Sequence, residues 1–258
     1  MSDVLIAMEG QVAVVRLNRP ERLNALSHDM LDLLRETLLK AVAGGARAVL
    51  LTGEGRAFCS GADLAASAAG MGLRDPGESL RGHYNPLAET FAALPIPIVT
   101  AVNGAAAGAG ASLALLGDIV VMARSAYLLL AFANIGLVPD AGATWLVAKS
   151  AGRAKALEMA LLGERMTADD ALSAGMVSRV VDDAALMDEA MGVAQKLASM
   201  PTKALGMIRK QVAAALTGTL SSTLEVEADH QSAAAKTEDF REGVTAFLQK
   251  RKAEFTGQ

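Results

Sequence analysis

From Ile98 to Ala123 the chain carries a single charged residue, Asp118. A stretch this apolar belongs either in a membrane or in the interior of a folded domain. Its composition favours the second. Asn103, Ser112 and Asp118 interrupt the run, and Gly104-Ala-Ala-Ala-Gly-Ala-Gly-Ala-Ser112 is the most glycine- and alanine-rich segment in the protein. Such residues suit a tight strand–turn–helix and let a ligand lie directly against backbone. Between Glu89 and Glu158 only two acidic residues occur, Asp118 and Asp140. An acid near a small-residue run is a candidate proton carrier, so any mechanism turns on the choice between them.

The 258 residues are 52% hydrophobic and 20% charged, which argues for a folded chain rather than a disordered one. Aromatic residues make up only 3%, so the core is expected to consist of closely packed Ala, Leu, Val and Gly. Net charge is -4, with no basic stripe interleaved with aromatics, so a nucleic-acid partner is not expected. The N-terminus has neither a positive region nor a long apolar one. A signal peptide and a membrane span are therefore not expected, and a cytoplasmic location is. Cys59 is the sole cysteine, which excludes an internal disulfide; a small buried thiol is the expectation. His28, His83 and His230 lack metal-ligand spacing, so no metal site is expected.

Val4–Met8 and Val12–Leu17 read as a hairpin about Glu9-Gly10. Ser27 is a helix cap, followed by Met30, Leu31, Leu34 and Leu38 on one helical face. Buried strands are expected over 48–52, 98–102, 119–123, 128–131 and 176–181. Helices are expected over 63–69 and 83–94, from the Gly/Ala run to about Leu116, and from just after Pro139. The stretch 70–82 reads as a mobile loop, and the remainder is mostly helical, with Thr167 as a further cap. Strands alternating with helices define an α/β core. The division is one core unit, residues 1–200, with a C-terminal helical region, 201–258.

Phe58-Cys-Ser-Gly-Ala-Asp-Leu64 follows a strand and enters a helix, and so does Asn103 through Leu113. Free N–H groups at a helix start favour negative charge. Two such turns brought together would supply two donors to one developing oxyanion. Rival motifs are incomplete. Gly108-Ala-Gly110 lacks the third glycine of a dinucleotide fingerprint, and no phosphate loop is present. Ser112 lies in Gly110-Ala-Ser-Leu-Ala114, which is not a nucleophile elbow.

With Arg19-Pro-Glu-Arg-Leu-Asn-Ala25, Leu51-Thr-Gly-Glu-Gly-Arg-Ala-Phe-Cys-Ser-Gly-Ala-Asp-Leu64, Val102-Asn-Gly-Ala-Ala-Ala-Gly-Ala-Gly110 and Phe247-Leu-Gln-Lys-Arg-Lys252, the chain resembles the enoyl-CoA hydratase/isomerase (crotonase) superfamily over nearly its whole length. The resemblance implies a ββα spiral core, a C-terminal helical trimerisation region and an acyl-CoA thioester substrate, with CoA part of the substrate and no separate cofactor. By position it implies an oxyanion hole from the N–H groups of Ala62 and Ala109. Arg22, Leu23 and Ala25, with Ala62, Asp63 and Leu64, would line the CoA tail. Phe247 and Lys250 would reach the CoA adenine and phosphate, often from a neighbouring subunit of a homotrimer or hexamer. The basic cluster Lys250-Arg251-Lys252 otherwise reads as a solvated helix end.

Hydratases of this family use two glutamates, and the matching positions here are Ser112 and Phe132. Neither side chain can replace a carboxylate, which disfavours two-glutamate hydration. On the residues alone, Asp140 is either a helix N-cap or a proton carrier. Family isomerases place a catalytic acid near this point. His83-Tyr-Asn-Pro-Leu87, Ala123-Arg-Ser-Ala126, Gly136-Leu-Val-Pro-Asp140 and Glu254-Phe-Thr-Gly257 are similar to isomerases acting on 1,2-epoxyphenylacetyl-CoA or related enoyl-CoA esters. The implied activity is acyl-CoA isomerisation with Asp140 as the single proton shuttle. Asp118 is read as a structural anchor and Asp63 as a helix-start residue. The rival readings are a hydratase, hydrolase or lyase on the same fold, with Glu78 or His83 as base, and a non-catalytic acyl-CoA binder. Tyr84, Leu137 and Trp145 are candidates for the acyl pocket.

Overall fold

A computed structural model describes residues 2–64 and 75–258. Strands β1 (Val4–Glu9) and β2 (Val12–Leu17) form the expected antiparallel hairpin. Helix α1 (His28–Ala43) begins at Ser27, whose side chain accepts from the Met30 N–H. Its expected apolar face is wholly buried: Met30, Leu31, Leu34 and Leu38 are each at most 1% exposed.

Strand β3 (Ala48–Gly53) is buried along its length and is followed by a short strand, β4 (Ala57–Cys59). The same pairing recurs twice. Strand β5 (Ile98–Val102) leads to β6 (Ala105–Ala107), and β7 (Ile119–Ala123) leads to β8 (Tyr127–Leu129). Helix α2 (Pro76–Ser79) and helix α3 (Asn85–Ala93) precede β5. Helix α4 (Ala109–Leu115) follows β6, and α5 (Ala143–Leu162) follows β8. After α5 come β9 (Arg165–Thr167), α6 (Ala168–Ser173) and β10 (Arg179–Val181). Thr167 caps α6 through the Asp170 N–H, as expected. Four helices complete the chain: α7 (Leu186–Ala198), α8 (Thr202–Ala215), α9 (Leu220–Ala234) and α10 (Glu238–Leu248).

The long strands form one sheet in the order β1-β2-β3-β5-β7-β10, parallel from β2 onward. The short strands form a second sheet, β4-β6-β8-β9. Each turn of the chain thus lays one strand in each sheet, which is the ββα spiral. The central parallel strands are covered on both faces, which is why Ala48–Gly53 and Ile98–Val102 are continuously buried rather than alternating. No helix among the described residues is long and apolar enough to cross a membrane.

The Gly/Ala run is the tightest part of this core. A side chain on Gly110 would begin 2.2 Å from the Cys59 carbonyl oxygen, and one on Gly104 would begin 2.2 Å from that of Arg56. Glycine at those positions lets α4 and β6 lie directly on the β4 segment. The run is not simply a lead into a helix, because Ala105–Ala107 pairs with β4 on one side and β8 on the other.

Asp118 is an anchor, as expected. Its carboxylate accepts from the Ile98 N–H at 2.7 Å and from Arg209 Nε at 2.7 Å. Arg209 also donates to the carbonyls of Phe91 and Leu94. The carboxylate therefore ties the start of β5 to α8. Burial pushes its carboxyl above the ordinary aspartate range, and Arg209 opposes that shift.

Two expectations need correction. The stretch assigned to a mobile loop is helical where it is described: α2 runs straight into a π-helical turn, Leu80–Tyr84, and then α3. The glycines at 77 and 82 misled the reading, although Asp75 caps α2 by accepting from the Gly77 N–H at 2.9 Å. The helix expected just after Pro139 begins at Ala143 instead. Leu64 is helical and Asp63 is not, while residues 65–69 of the expected helix and the first part of the expected loop lie outside the described residues.

Gly110→Ala is expected to destabilise the fold by at least about 2 kcal/mol, because the methyl group meets a fixed carbonyl rather than a flexible side chain. A denaturant titration showing wild-type stability would refute this account of the α4–β4 contact.

Candidate active site

The turn after β4 is held by the segment before α1. Ser60 N–H donates to the Leu23 carbonyl at 3.0 Å, Leu26 N–H to Gly61 O at 2.7 Å, and Asp63 N–H to Leu26 O at 3.0 Å. To make these bonds, Leu23 and Asn24 both adopt left-handed backbone, with φ of 52° and 55°. Asn24 is fully buried and satisfied by backbone: Nδ2 donates to Glu54 O and Ala57 O, and Oδ1 accepts from Arg19 N–H. Arg19 completes the latch through Ala25 O at 2.7 Å and Asp63 Oδ2 at 2.8 Å. Asp63 is therefore a buried ion-pair partner, beyond its expected place at a helix start. The roles of Arg19 and Asn24 were missed in the sequence. The available signal was asparagine's tolerance of left-handed backbone.

The second turn lies between β6 and α4. Gly108 has φ 52° and ψ −130°, a conformation that requires glycine, and its N–H donates to Leu129 O at 2.8 Å. The next N–H, that of Ala109, opens α4. The two turns touch: a side chain on Gly61 would begin 2.8 Å from Ala107 O and 3.5 Å from the Ala109 nitrogen. Among the described residues, the N–H groups of Ala62 and Ala109 donate to no partner. The fold thus brings together the two turns singled out in the sequence, each with an unengaged N–H.

Phe132 is 6% exposed and lies against the Gly108 turn, with its ring 3.9 Å from the place a Gly108 side chain would take. Ser112, three residues into α4 from Ala109, is fully buried, and its hydroxyl donates to the Asp140 carbonyl at 3.0 Å.

Asp140 does not cap α5. Gly142 takes that position with no side-chain cap bond, so the N-cap alternative is wrong. Ala141 and Gly142 have φ of 47° and 87° and turn the chain between Asp140 and the helix. The Asp140 Oδ1 is buried and has no hydrogen-bond partner. Burial without compensation pushes its carboxyl up to about 6. Burial also raises the Tyr84 phenol, and the negative charges of Asp140 and Asp63 raise it further, so Tyr84 shares the electrostatic environment of the site. Tyr84 is 7% exposed and sits on the π-helical turn. Burial pushes the Cys59 thiol up to about 12, which leaves it protonated and inert.

The other predicted residues divide. Leu23 and Ala25 belong to the latch, with Arg22 and Leu64 exposed beside it. Leu137 and Trp145 are 41% and 42% exposed. Phe247 is 82% exposed and lines a groove with Pro201, Phe240, Val244 and Phe255, none of which belongs to the two turns. Lys250 lies just past the end of α10 with φ 55°. The groove that Phe247 lines is therefore separate from the two turns in a single chain. His83 Nδ1 lies 3.0 Å from both Asp32 oxygens, and its ring stacks on His28 at 4.2 Å. Glu78 is exposed on α2. Among the described residues, no cluster of three or more His, Cys, Asp or Glu side chains could hold a metal ion.

The family model described as enoyl-CoA hydratase/isomerase matches residues 7–258, and the chain belongs to that family. It is 46% identical to the 1,2-epoxyphenylacetyl-CoA isomerase of Escherichia coli (strain K12), over 100% of both proteins. It is 44% identical to a probable enoyl-CoA hydratase of Rhodobacter capsulatus, over 96% of this chain and 95% of that protein. The crystal structure of an enoyl-CoA hydratase from Bacillus anthracis superposes with a TM-score of 0.94 at 30% identity, covering 100% of both chains. The crotonase-type spiral is therefore the fold of this protein.

An aspartate whose carboxyl is raised in the folded state binds its proton there more tightly than in the unfolded chain. Its ionisation therefore lowers stability as pH rises from about 4 to about 6, and the loss stays constant above that. Asp140→Asn is expected to be more stable than the wild type by roughly 2 kcal/mol at pH 8 and equal to it at pH 4. Equal melting temperatures at pH 8 would contradict an uncompensated Asp140 carboxylate.

Proposed function

We propose that the protein is an acyl-CoA isomerase in which Asp140 carries a proton between two carbons of a CoA thioester. The carrying observation is the half-buried Asp140 carboxyl, its Oδ1 buried and unpartnered, raised to about 6 and one hydrogen-bonded contact away from helix α4. The thioester oxygen accepts from the N–H groups of Ala62 and Ala109, and those donors stabilise the enolate that forms when Asp140 removes a proton from the neighbouring carbon. Asp140 then returns the proton to a second carbon, and the double bond moves. On a 1,2-epoxyphenylacetyl-CoA, the same polarisation supports opening of the epoxide and rearrangement to an oxepin. No water is consumed, so one carboxylate suffices.

Several features support this reading. A carboxyl near 6 is matched to proton transfer at neutral pH. Two converging donors lower such a barrier, and each contributes about 3 kcal/mol in comparable sites. The relative at 46% identity is named as a 1,2-epoxyphenylacetyl-CoA isomerase. The CoA tail lies along Arg22, Leu23, Ala25, Ala62, Asp63 and Leu64. Phe247 and Lys250 reach the adenine end from a neighbouring subunit of a trimer or a dimer of trimers, which accords with the exposure of Phe247 in a single chain. The 44% identical relative named as a probable hydratase makes water addition the second reading.

Asp140→Asn is expected to lower kcat by about 10²- to 10⁴-fold on 1,2-epoxyphenylacetyl-CoA or a 3-enoyl-CoA ester, with CoA-ester binding retained. In the wild type, kcat/KM is expected to fall about tenfold per pH unit below about 6 and to level off above it, because the base must be ionised. Near-wild-type turnover by Asp140→Asn would defeat the assignment. Efficient hydration of a crotonyl-type ester, with no double-bond shift, would favour the second reading.

A further inference from the structure

We propose that Ser112 is a positioning residue whose hydroxyl holds Asp140 at a fixed place relative to the Ala109 N–H. The inference rests on the reading of Asp140 as the proton carrier and adds to it how the two halves of the site are registered.

A serine inside a helix usually bonds back to the carbonyl four residues earlier. Here that carbonyl, Gly108 O, receives the N–H groups of Ala111 at 2.9 Å and Ser112 at 3.4 Å. The Ser112 hydroxyl instead donates across to Asp140 O at 3.0 Å, a residue 28 positions away in the chain. Ser112 is fully buried, so no water competes for the bond. The same helix begins at Ala109, so the bond spans from one helical turn past the N–H donor directly to the backbone of the acid.

The loop that carries Asp140 needs holding. Ala141 has φ 47°, a left-handed conformation unfavourable for alanine, and Gly142 follows at 87°. Val138 is 78% exposed and Leu137 41% exposed, so the preceding residues contribute little packing. The Asp140 carboxyl has no hydrogen bond through Oδ1 that would orient it. What does orient the residue is its carbonyl, which accepts from Ser112 Oγ and from the Ala143 N–H at 2.9 Å. Without the hydroxyl, that carbonyl keeps only the bond from its own helix start and loses its tie to α4. Among the described residues no charged neighbour contributes to the Asp140 shift, which comes from burial, and Tyr84 is the titratable group that feels its charge; Ser112 itself is neutral, so its effect on Asp140 is geometric.

The test uses the full-length protein with Ser112→Ala and Ser112→Thr. Alanine removes the hydroxyl at nearly constant volume, and threonine keeps it. Readouts are kcat and KM on 1,2-epoxyphenylacetyl-CoA and a 3-enoyl-CoA ester, the melting temperature, and the titration of the Asp140 carboxyl by carbon NMR, assigned by its absence in Asp140→Asn. Ser112→Ala is expected to lose about 10- to 100-fold in kcat, the size of effect that small misplacement of a catalytic group produces, with KM within about threefold. Its Asp140 titration is expected to move down from about 6 as the released loop admits water. Ser112→Thr is expected to recover most of both. If threonine does not fit, Ser112→Cys, a weaker donor of similar size, is expected to fall between Ser112→Ala and the wild type. Wild-type kcat and an unmoved Asp140 titration in Ser112→Ala would overturn the inference, as would a loss of activity no larger than the loss of folded protein. An active Asp140→Asn would instead overturn the proton-carrier reading, and the NMR titration would still report whether Ser112 holds the loop.

Discussion

The site depends on one backbone contact. The carbonyl of Cys59 approaches Gly110 so closely that a side chain there would begin 2.2 Å from the oxygen. That approach lays the first turn of α4 on the end of β4, and a side chain on Gly61 would begin 3.5 Å from the Gly108 Cα. The turns that carry Ala62 and Ala109 are thereby held against each other, with neither N–H engaged among the described residues. A bulkier run would push the helix outward and pull the turns apart, leaving each as an ordinary helix entrance. The latch of Arg19, Asn24 and Asp63 fixes the first turn from the other side, with both left-handed residues and a buried ion pair.

The two isolated aspartates show how surroundings assign roles to one residue type. Burial raises both carboxyls. Asp118 is surrounded by donors, the Ile98 N–H and Arg209, and it joins two elements. Asp140 has burial and no compensating donor at Oδ1, so its carboxyl titrates near 6. The first arrangement fixes a charge in place; the second leaves a proton free to come and go.

Much of the fold was legible because the central strands and α1 carry strong patterns. The continuously apolar runs at 48–53 and 98–102 are the strands covered on both faces, and Ser27 with Met30, Leu31, Leu34 and Leu38 marked α1 without ambiguity. The short strands β4, β6 and β9 were not legible, since three residues carry no periodicity and pair only because the spiral brings them alongside one another. Residues 80–82 of the π-helical turn were read as loop because the glycine at 82 resembles a breaker, although the helix expected from 83 was found. In the site, the two turns and the isolated Asp140 stood out along the chain, and the family resemblance picked Ala62 and Ala109 and gave Asp140 its role. Asn24, Arg19 and the bond from Ser112 were not, because each acts across 5 to 44 residues of chain.

The sequence by itself determined that the chain buries an α/β core, that its glycine-rich turns open helices, and that no glutamate lies between Glu89 and Glu158. These properties are local: they follow from side-chain size, backbone freedom and charge along the chain. Only the tertiary structure decided that the two turns meet, that Asp140 leaves the helix cap to Gly142, and that its Oδ1 is buried unpaired while Asp118 is bonded. A carboxylate's role depends on which donors and how much water surround it, and those are set by segments far away in the chain.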